Sequence, residues 1–402
     1  MVDPITCRRA GTPAAAHRTR AILIAACMAV TVFASAGTVQ SSAAPSRAHA
    51  STSSSFVQAS GSRFYLQGKP WYFTGYNSFE LTSIAIGNGY ACSYQYPVAW
   101  LGQILDEIKH ASDSAVIRTW FFQSYAGANY VQFRTVLDAA RARHIKIIPV
   151  LVNQWGDCEP WANHARPYRN LAWYQTGYRQ RNFGYSLSFR SYAVAMAGRF
   201  ANDPAIAFWQ LVNEAEAKDS IYGACQERPA AHALRAFADD VAGAMKAVDH
   251  HHLISLGTMG YGQCGTSWTD YRYIHAGKID ICEYHDYAAG AIWGSPWNGV
   301  VWNVQQCVAL HKPIFVGEAG IDASVQANWS AYGWVTHASL AQRASFFQQK
   351  MDAQFALGIA GFLVWGKTMQ ASSGVAVGPG DPTEAVMAAE QQRLNRTYGQ
   401  VQ

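Results

Sequence analysis

Ile206-Ala-Phe-Trp-Gln-Leu-Val-Asn-Glu-Ala-Glu216 decides the fold of this 402-residue chain. It follows Asn202-Asp203-Pro204, a turn signal, and runs as apolar, β-branched and aromatic residues for the length of a strand. It then ends in Asn213-Glu214. A strand that is apolar throughout is buried on both faces, as in a parallel sheet covered by helices. Polar groups at the carboxyl end of such a strand stand where α/β barrels keep their chemistry, although Asn and Glu also open loops and cap helices. A second strand of the same kind, Pro313-Ile-Phe-Val-Gly-Glu318-Ala-Gly320, also ends in a single Glu. Two carboxylic acids at the ends of two buried strands are the minimum apparatus for hydrolysing a glycosidic bond.

Outward from these two strands, apolar runs alternate with helical periodicity. A hairpin over residues 62–76 turns at Gln67-Gly-Lys-Pro70 and leads into a first strand ending at Asn77. A helix from Pro97 to Ala111 precedes strand Val116–Trp120, whose apolar pattern Arg118 interrupts. Helix Tyr130–Arg143 precedes strand Ile145–Val152, which ends in Asn153-Gln-Trp155. Helix Leu187–Phe200 delivers the Asn213-Glu214 strand, and helix Ala230–Val248 leads to a fifth strand, Leu253–Gly257. The sixth strand is expected over Ile279–Tyr284, followed by His285-Asp-Tyr287. Helix Val301–Leu310 precedes the Glu318 strand. Helix Ser339–Leu357 precedes an eighth, Ala360–Trp365, and a helix from Glu384 to Tyr398 closes the chain. Eight strands alternating with helices predict an α/β fold, a (β/α)8 TIM barrel in a single domain spanning residues 56–402.

Residues 1–50 read as a signal peptide and spacer, with basic Arg8, Arg9, Arg18 and Arg20 before an uncharged apolar run from Ala21 to Ala36. This predicts a secreted protein; an uncleaved, membrane-anchoring segment is the alternative. The leader holds five Arg and one Asp, so 26 basic residues face 25 acidic ones in the remainder. That balance offers no electrostatic case for nucleic acid or acidic membranes. Six cysteines lie beyond the leader without CxxC spacing, which argues for disulfides rather than zinc. Fifteen pairings are open. On a barrel, Cys92–Cys158 and Cys225–Cys264 are expected between top loops, and Cys282–Cys307 between a strand and the next helix.

If the barrel closes, Asn77, Arg118, Asn153, Trp155, Asn213, Glu214, His285, Tyr287, Glu318 and Trp365 converge on one mouth. This ordered set resembles the retaining glycoside hydrolases of family 5. In that family Asn-Glu after the fourth strand supplies the acid/base, matching Asn213-Glu214, and a Glu after the seventh is the nucleophile, matching Glu318. An Arg on the second strand, a His-x-Tyr after the sixth and a Trp after the eighth match Arg118, His285 with Tyr287, and Trp365. The resemblance departs at Ala215, where relatives usually carry Pro. It implies a double displacement needing no cofactor and no metal, on a polysaccharide or oligosaccharide partner, by a monomer.

On this reading Arg118 keeps Glu318 ionised and Tyr287 orients it, whereas Glu214 is protonated at rest with a raised pKa. Asn213 binds the sugar 2-hydroxyl, His285 positions substrate or Glu214, and Trp365 stacks on the reacting ring. Glu216 is the rival to Glu214, but no Asn precedes it. His250-His-His252 falls at the bottom of the barrel as a solvated turn. Glu283, His285 and Asp286 cannot all converge on a metal, because adjacent strand residues face opposite ways. Arg118-Thr-Trp120 and Leu151-Val-Asn-Gln-Trp155 resemble the endo-β-1,4-mannanases of the family. A β-glucanase or other cell-wall glycanase, a non-catalytic carbohydrate-binding barrel and a metal-dependent hydrolase are the competing readings.

Overall fold

The decisive stretch is the fourth stave of a closed barrel in the computed structural model. The structure describes residues 54–85, 96–112, 116–126, 130–159, 167–288, 291–294, 299–323, 339–370 and 374–400. Three short antiparallel strands, Gln58–Ser60 (β1), Arg63–Leu66 (β2) and Lys69–Trp71 (β3), come first. The barrel strands are Phe73–Asn77 (β4), Val116–Trp120 (β5), Lys146–Val150 (β6) and Phe208–Gln210 (β7). Leu253–Ser255 (β8), Cys282–Asp286 (β9), Ile314–Ala319 (β10) and Gly361–Val364 (β11) complete them. All pair in parallel in the order β8-β7-β6-β5-β4-β11-β10-β9, and a parallel bridge from Ser255 to Ile281 joins the two ends. The ring therefore has no free edge.

The three-stranded sheet plugs the amino-terminal end of the barrel. Phe64 stacks on Phe208 at 5.6 Å and packs with Phe73, and Phe73 and Phe208 both meet Phe315. This aromatic floor leaves the carboxyl-terminal mouth as the open end. Helices follow the strands because each carries an apolar stripe for the outer sheet face. In chain order they are Leu81–Ile84 (α1), Ala99–Ser112 (α2), Val131–Arg141 (α3), Leu171–Gln175 (α4), Phe189–Phe200 (α5), Glu227–Lys246 (α6), Thr269–His275 (α7), Val300–Ala309 (α8), Leu340–Leu357 (α9) and Pro382–Tyr398 (α10). Local sequence sets their ends. Ser339 and Gln342 form a capping box at the start of α9, and Gly358 closes it with φ +119°.

One boundary differs from expectation in a way that matters. The sixth stave covers Cys282–Asp286 rather than 279–284, so His285 stands within the strand. Its register is set by pairing with β10, where His285 lies opposite Glu318. Cys225–Cys264 and Cys282–Cys307 are disulfide-bonded as expected. Cys158 is also disulfide-bonded, while Cys92 lies outside the described residues, as do residues 1–50. No described helix is long and apolar enough to cross a membrane.

Candidate active site

Arg118, in the middle of β5, is the hub of the mouth. It is fully buried, so its donors need acceptors and its charge needs an opposite one. Nε donates to Gln210 Oε1 at 2.7 Å and Nη2 to Asn213 Oδ1 at 2.6 Å. Nη1 donates to Asn77 Oδ1 at 2.8 Å and to Glu318 Oε1 at 2.7 Å. Acceptors from three other staves, β4, β7 and β10, are thereby tied to one guanidinium, which also lies 4.9 Å over the Trp120 ring. Asn77 passes the network on to the Gly317 carbonyl at 2.9 Å, and Asn213 to Asn153 Oδ1 at 3.1 Å.

The two acids take different partners. Tyr287 donates its hydroxyl to Glu318 Oε2 at 2.6 Å. Glu214 accepts from Trp155 Nε1 at 2.6 Å through Oε2 and meets His285 Nδ1 at 2.9 Å through Oε1. The Glu214 backbone sits at φ +59°, a conformation that costs a non-glycine residue about 1–3 kcal/mol. It is held there by Gln263, which donates to its carbonyl at 2.7 Å, and by the Ala215 amide on Gly257 at 2.9 Å.

Two glycines flanking Glu318 make the crowding feasible. A Cβ at Gly317 would fall 1.9 Å from Glu283 Oε1, and one at Gly320 would fall 2.3 Å from Tyr287 Cε1. Val-Gly-Glu-Ala-Gly thus leaves room on both sides for groups that serve the acid between them.

Glu283, considered from the sequence only as a metal ligand and set aside, belongs to this site. Its carboxylate is fully buried inside the barrel, beside Gln210 Nε2, 3.1 Å from Ser255 Oγ, 3.1 Å from His285 Nε2 and 3.8 Å from Arg118 Nε. The signal for it was strand alternation, since Glu283, His285 and Tyr287 share one face of a period-two strand. Asp286 faces the other way and binds Lys350 of α9 at 2.8 Å.

The imidazole of His285 therefore lies between carboxylates at both nitrogens, with Glu318 Oε2 also 3.5 Å from Nδ1. Burial opposes its charge, but Glu318, Glu214 and Glu283 outweigh that and push its pKa up to about 10. This corrects the expected charge arrangement. Burial would raise Glu214, yet the hydrogen bonds from His285 and Trp155 and the charges of His285 and Arg118 hold it below the ordinary carboxyl value. For Glu318, burial and the neighbouring Glu214 charge win over His285, Arg118 and Tyr287, and its pKa is raised. His285, held charged among these acids, thus faces Glu214 Oε1 as a proton donor across 2.9 Å.

The other expected residues fall as follows. Trp365 is half-buried, stacks on Phe79 at 5.7 Å and packs against Trp120 at 5.9 Å. Asn153 supports Asn213 instead of opening toward the mouth, and Trp155 acts through its indole N–H on Glu214. Glu216 is buried under the Tyr168 hydroxyl at 2.6 Å and is separate from the pair. His252 sits on Asp249 at 2.8 Å near the barrel base, away from the mouth. Glu214, His285 and Glu318 present ligand atoms within 4.8 Å of one another, a spacing a small cation accepts. Their hydrogen bonds spend those atoms on each other and on Arg118, Trp155 and Tyr287, and Arg118 already supplies the positive charge.

Comparison with known proteins adds to this geometry. The family described as cellulase (glycosyl hydrolase family 5) matches residues 96–354. Mannan endo-1,4-beta-mannosidase A of Podospora anserina is 24% identical over 308 residues, covering 66% of this chain and 75% of that protein. Mannan endo-1,4-beta-mannosidase F of Aspergillus fumigatus is 24% identical over 306 residues, with 64% of this chain and 62% of its own length covered, so this chain spans less than two thirds of that relative. Among solved structures, the endo-1,4-beta-mannanase from Rhizomucor miehei superposes with a TM-score of 0.64 at 19% identity, covering 85% of this chain and 99% of that one. The endo-beta-1,4-mannanase from Thermotoga petrophila gives 0.58 at 17% identity, covering 82% and 78%. At such identities the structural likeness establishes the (β/α)8 fold. The family match extends over most of the chain, and this protein belongs to the cellulase family, glycosyl hydrolase family 5.

Proposed function

We propose that the chain is an exported retaining β-glycanase that cleaves β-1,4-mannan by double displacement, with Glu318 as nucleophile and Glu214 as acid/base. One observation carries the mechanism: an oxygen of Glu214 and an oxygen of Glu318 lie within 4.8 Å of each other. Retaining glycosidases hold their carboxyl groups about 5–5.5 Å apart, whereas inverting ones leave about 6.5–9.5 Å for a water. Glu318 attacks the anomeric carbon, and Glu214 delivers a proton to the leaving oxygen. A proton passing from His285 Nδ1 to Glu214 Oε1 across 2.9 Å readies the acid. Water, deprotonated by Glu214, then releases the sugar with its configuration kept. The mannan assignment is supported by the names of the relatives and by the Arg118-Thr-Trp120 and Leu151-Val-Asn-Gln-Trp155 motifs. Residues 1–50 are proposed as the export leader, and the remainder as a monomeric catalytic domain.

The experiment is hydrolysis of soluble β-1,4-mannan, β-1,4-glucan and aryl β-glycosides, with the first-formed anomer followed by NMR. Mannan cleavage with the β-anomer released first is the expected result. Inversion would sink the roles of the two Glu residues, and cleavage of glucan alone would replace the substrate.

A pH profile tests the proton arrangement. The alkaline limb of kcat/KM reports loss of the proton held by the coupled His285–Glu214 pair. Glu283 is one of the anions that keep His285 charged, facing it together with Glu214 and Glu318, against Arg118; Gln210 and Ser255 bond Glu283 without charge. Removing an anion lowers the pKa of a cation. Glu283→Gln is therefore expected to move the alkaline limb down by about 1–2 pH units, with the acid limb moved less. An unmoved alkaline limb would remove His285 from the proton path.

A further inference from the structure

Asp286 and the helix behind it form a second buried polar network, which none of this chemistry uses. Lys350 and Gln354 stand four residues apart on one face of α9, and both are fully buried. Lys350 Nζ lies 3.0 and 2.8 Å from the two Asp286 oxygens, 3.1 Å from the Ala288 carbonyl and 2.7 Å from the Ala291 carbonyl. Gln354 Nε2 donates to Asp286 Oδ2 and to the Ile292 carbonyl, each at 2.8 Å. All these bonds end on the last residue of β9 and the loop it opens. Asp286 also steadies the turn itself, with Oδ1 accepting from the Ala288 amide at 3.2 Å.

Tyr287 is the residue enclosed by this network. One ammonium binds the residue before it and the residue after it, and strand alternation sends its ring to the side opposite the Asp286 carboxylate. The ring lies against Gly320, where a Cβ would fall 2.3 Å from Cε1, and the Gly320 amide donates to the Asp286 carbonyl at 3.1 Å. The hydroxyl then reaches Glu318 Oε2 at 2.6 Å. A buried ion pair is a poor means of docking a helix, because desolvating two charges offsets much of their attraction. Apolar contacts already dock α9: Phe347, Met351 and Phe355 are buried, and Phe347 meets Phe362 of β11 at 6.3 Å. What the ion pair adds is a fixed geometry, and the geometry it fixes is that of Tyr287. The charges acting most on Glu318 are His285, Arg118 and Glu214, so Lys350 works through position rather than field.

We infer that Lys350, assisted by Gln354, is a positioning residue for the nucleophile: by tying Asp286 and Ala288 to α9 it holds the Tyr287 hydroxyl on Glu318. The inference rests on the proposed roles of Glu318 and Tyr287, and it carries them one layer outward, to a helix on the outside of the barrel.

The test is a double-substitution cycle on activated aryl β-glycosides of mannobiose and cellobiose. Wild type, Lys350→Met, Tyr287→Phe and the combined variant are compared, and Gln354→Met is carried through the same cycle. An activated leaving group departs without acid help, so kcat/KM reports the attack by Glu318. Tyr287→Phe and Lys350→Met are each expected to lower kcat/KM about tenfold, and the combined variant to match Tyr287→Phe within about twofold. Gln354→Met, which leaves the ammonium in place, should cost about threefold, again only while the Tyr287 hydroxyl is present. It decides the matter if Lys350→Met does not fold. A merely structural role would multiply the loss equally with and without that hydroxyl; this result, or no loss from either α9 substitution, would overturn the clamp. No loss from Tyr287→Phe itself would refute the service of Tyr287 to Glu318, and the inference would fall with that reading. If wild type cleaves neither glycoside, the substrate proposal fails, and crystal structures of wild type and the α9 variants decide. A Tyr287 hydroxyl out of hydrogen-bond reach of Glu318 in the variants alone supports the clamp, and an unmoved hydroxyl overturns it.

Discussion

Glu318→Ala is expected to lower kcat by on the order of 10⁴-fold or more, with substrate binding largely retained. The carboxylate supplies the bond that replaces the leaving group, and losing a covalent catalyst typically costs about that much. Binding survives because Arg118 keeps the Asn77, Asn213 and Gln210 acceptors, with Glu283 3.8 Å away. Azide fits the space left by the carboxylate and attacks an activated aryl β-glycoside directly, so the rescued product is the α-glycosyl azide. The same reagent with Glu214→Ala enters after the glycosyl-enzyme forms, from the opposite face, and gives the β-glycosyl azide. Two opposite anomers from two single substitutions would assign both roles in one experiment. Matching anomers, or turnover indifferent to Glu318→Ala, would refute the assignment. Glu318→Gln is the companion variant, since its amide oxygen can still accept from Arg118 and it tests chemistry with the fold preserved.

The second large effect belongs to Arg118→Met. Three carboxylates, Glu214, Glu283 and Glu318, share this buried space with two cations, Arg118 and His285. Removing one cation leaves acids that must either repel or take up protons. Glu318, already raised above the ordinary carboxyl value, is expected to rise further, because losing an adjacent cation penalises its charged form. The acid limb of kcat/KM should therefore move to higher pH, the reverse of the Glu283→Gln displacement on the alkaline side. Activity is expected to fall about 10²–10³-fold, as for loss of one preorganised electrostatic partner. Stability is expected to fall by about 3–5 kcal/mol, because the substitution strands buried charge and the amide acceptors of Asn77, Asn213 and Gln210. Denaturant unfolding measures the second and a pH series the first. A stable variant with an unmoved acid limb would show that Arg118 does not set the ionisation of Glu318. Arg118→Lys should recover the charge without the fork that spans four staves, and so regain stability less than pH behaviour.

The stability loss and the pH shift come from the same geometry, for one guanidinium both assembles the mouth and sets its charge. The Gly317 and Gly320 positions carry the same lesson. They add nothing chemically, but each leaves space where a methyl group would collide with Glu283 or Tyr287. Ala at either is incompatible with those side chains as placed.

The sequence alone determined the barrel, because strands buried on both faces must be apolar throughout and helices between them must carry one apolar stripe. It also made the two candidate acids and most of their neighbours legible, because polar residues ending apolar strands stand out against their background. His285 and Tyr287 were legible by the same contrast, even though the strand bearing them was placed too early. Glu283 was weighed there only as a metal ligand and set aside, because an isolated Glu in sequence carries no sign of burial; its role is revealed by its place between His285 and Arg118. The location of the proton was beyond the sequence altogether. It depends on which charges stand within about 4–6 Å of one another across four staves, and only closure of the ring creates those distances.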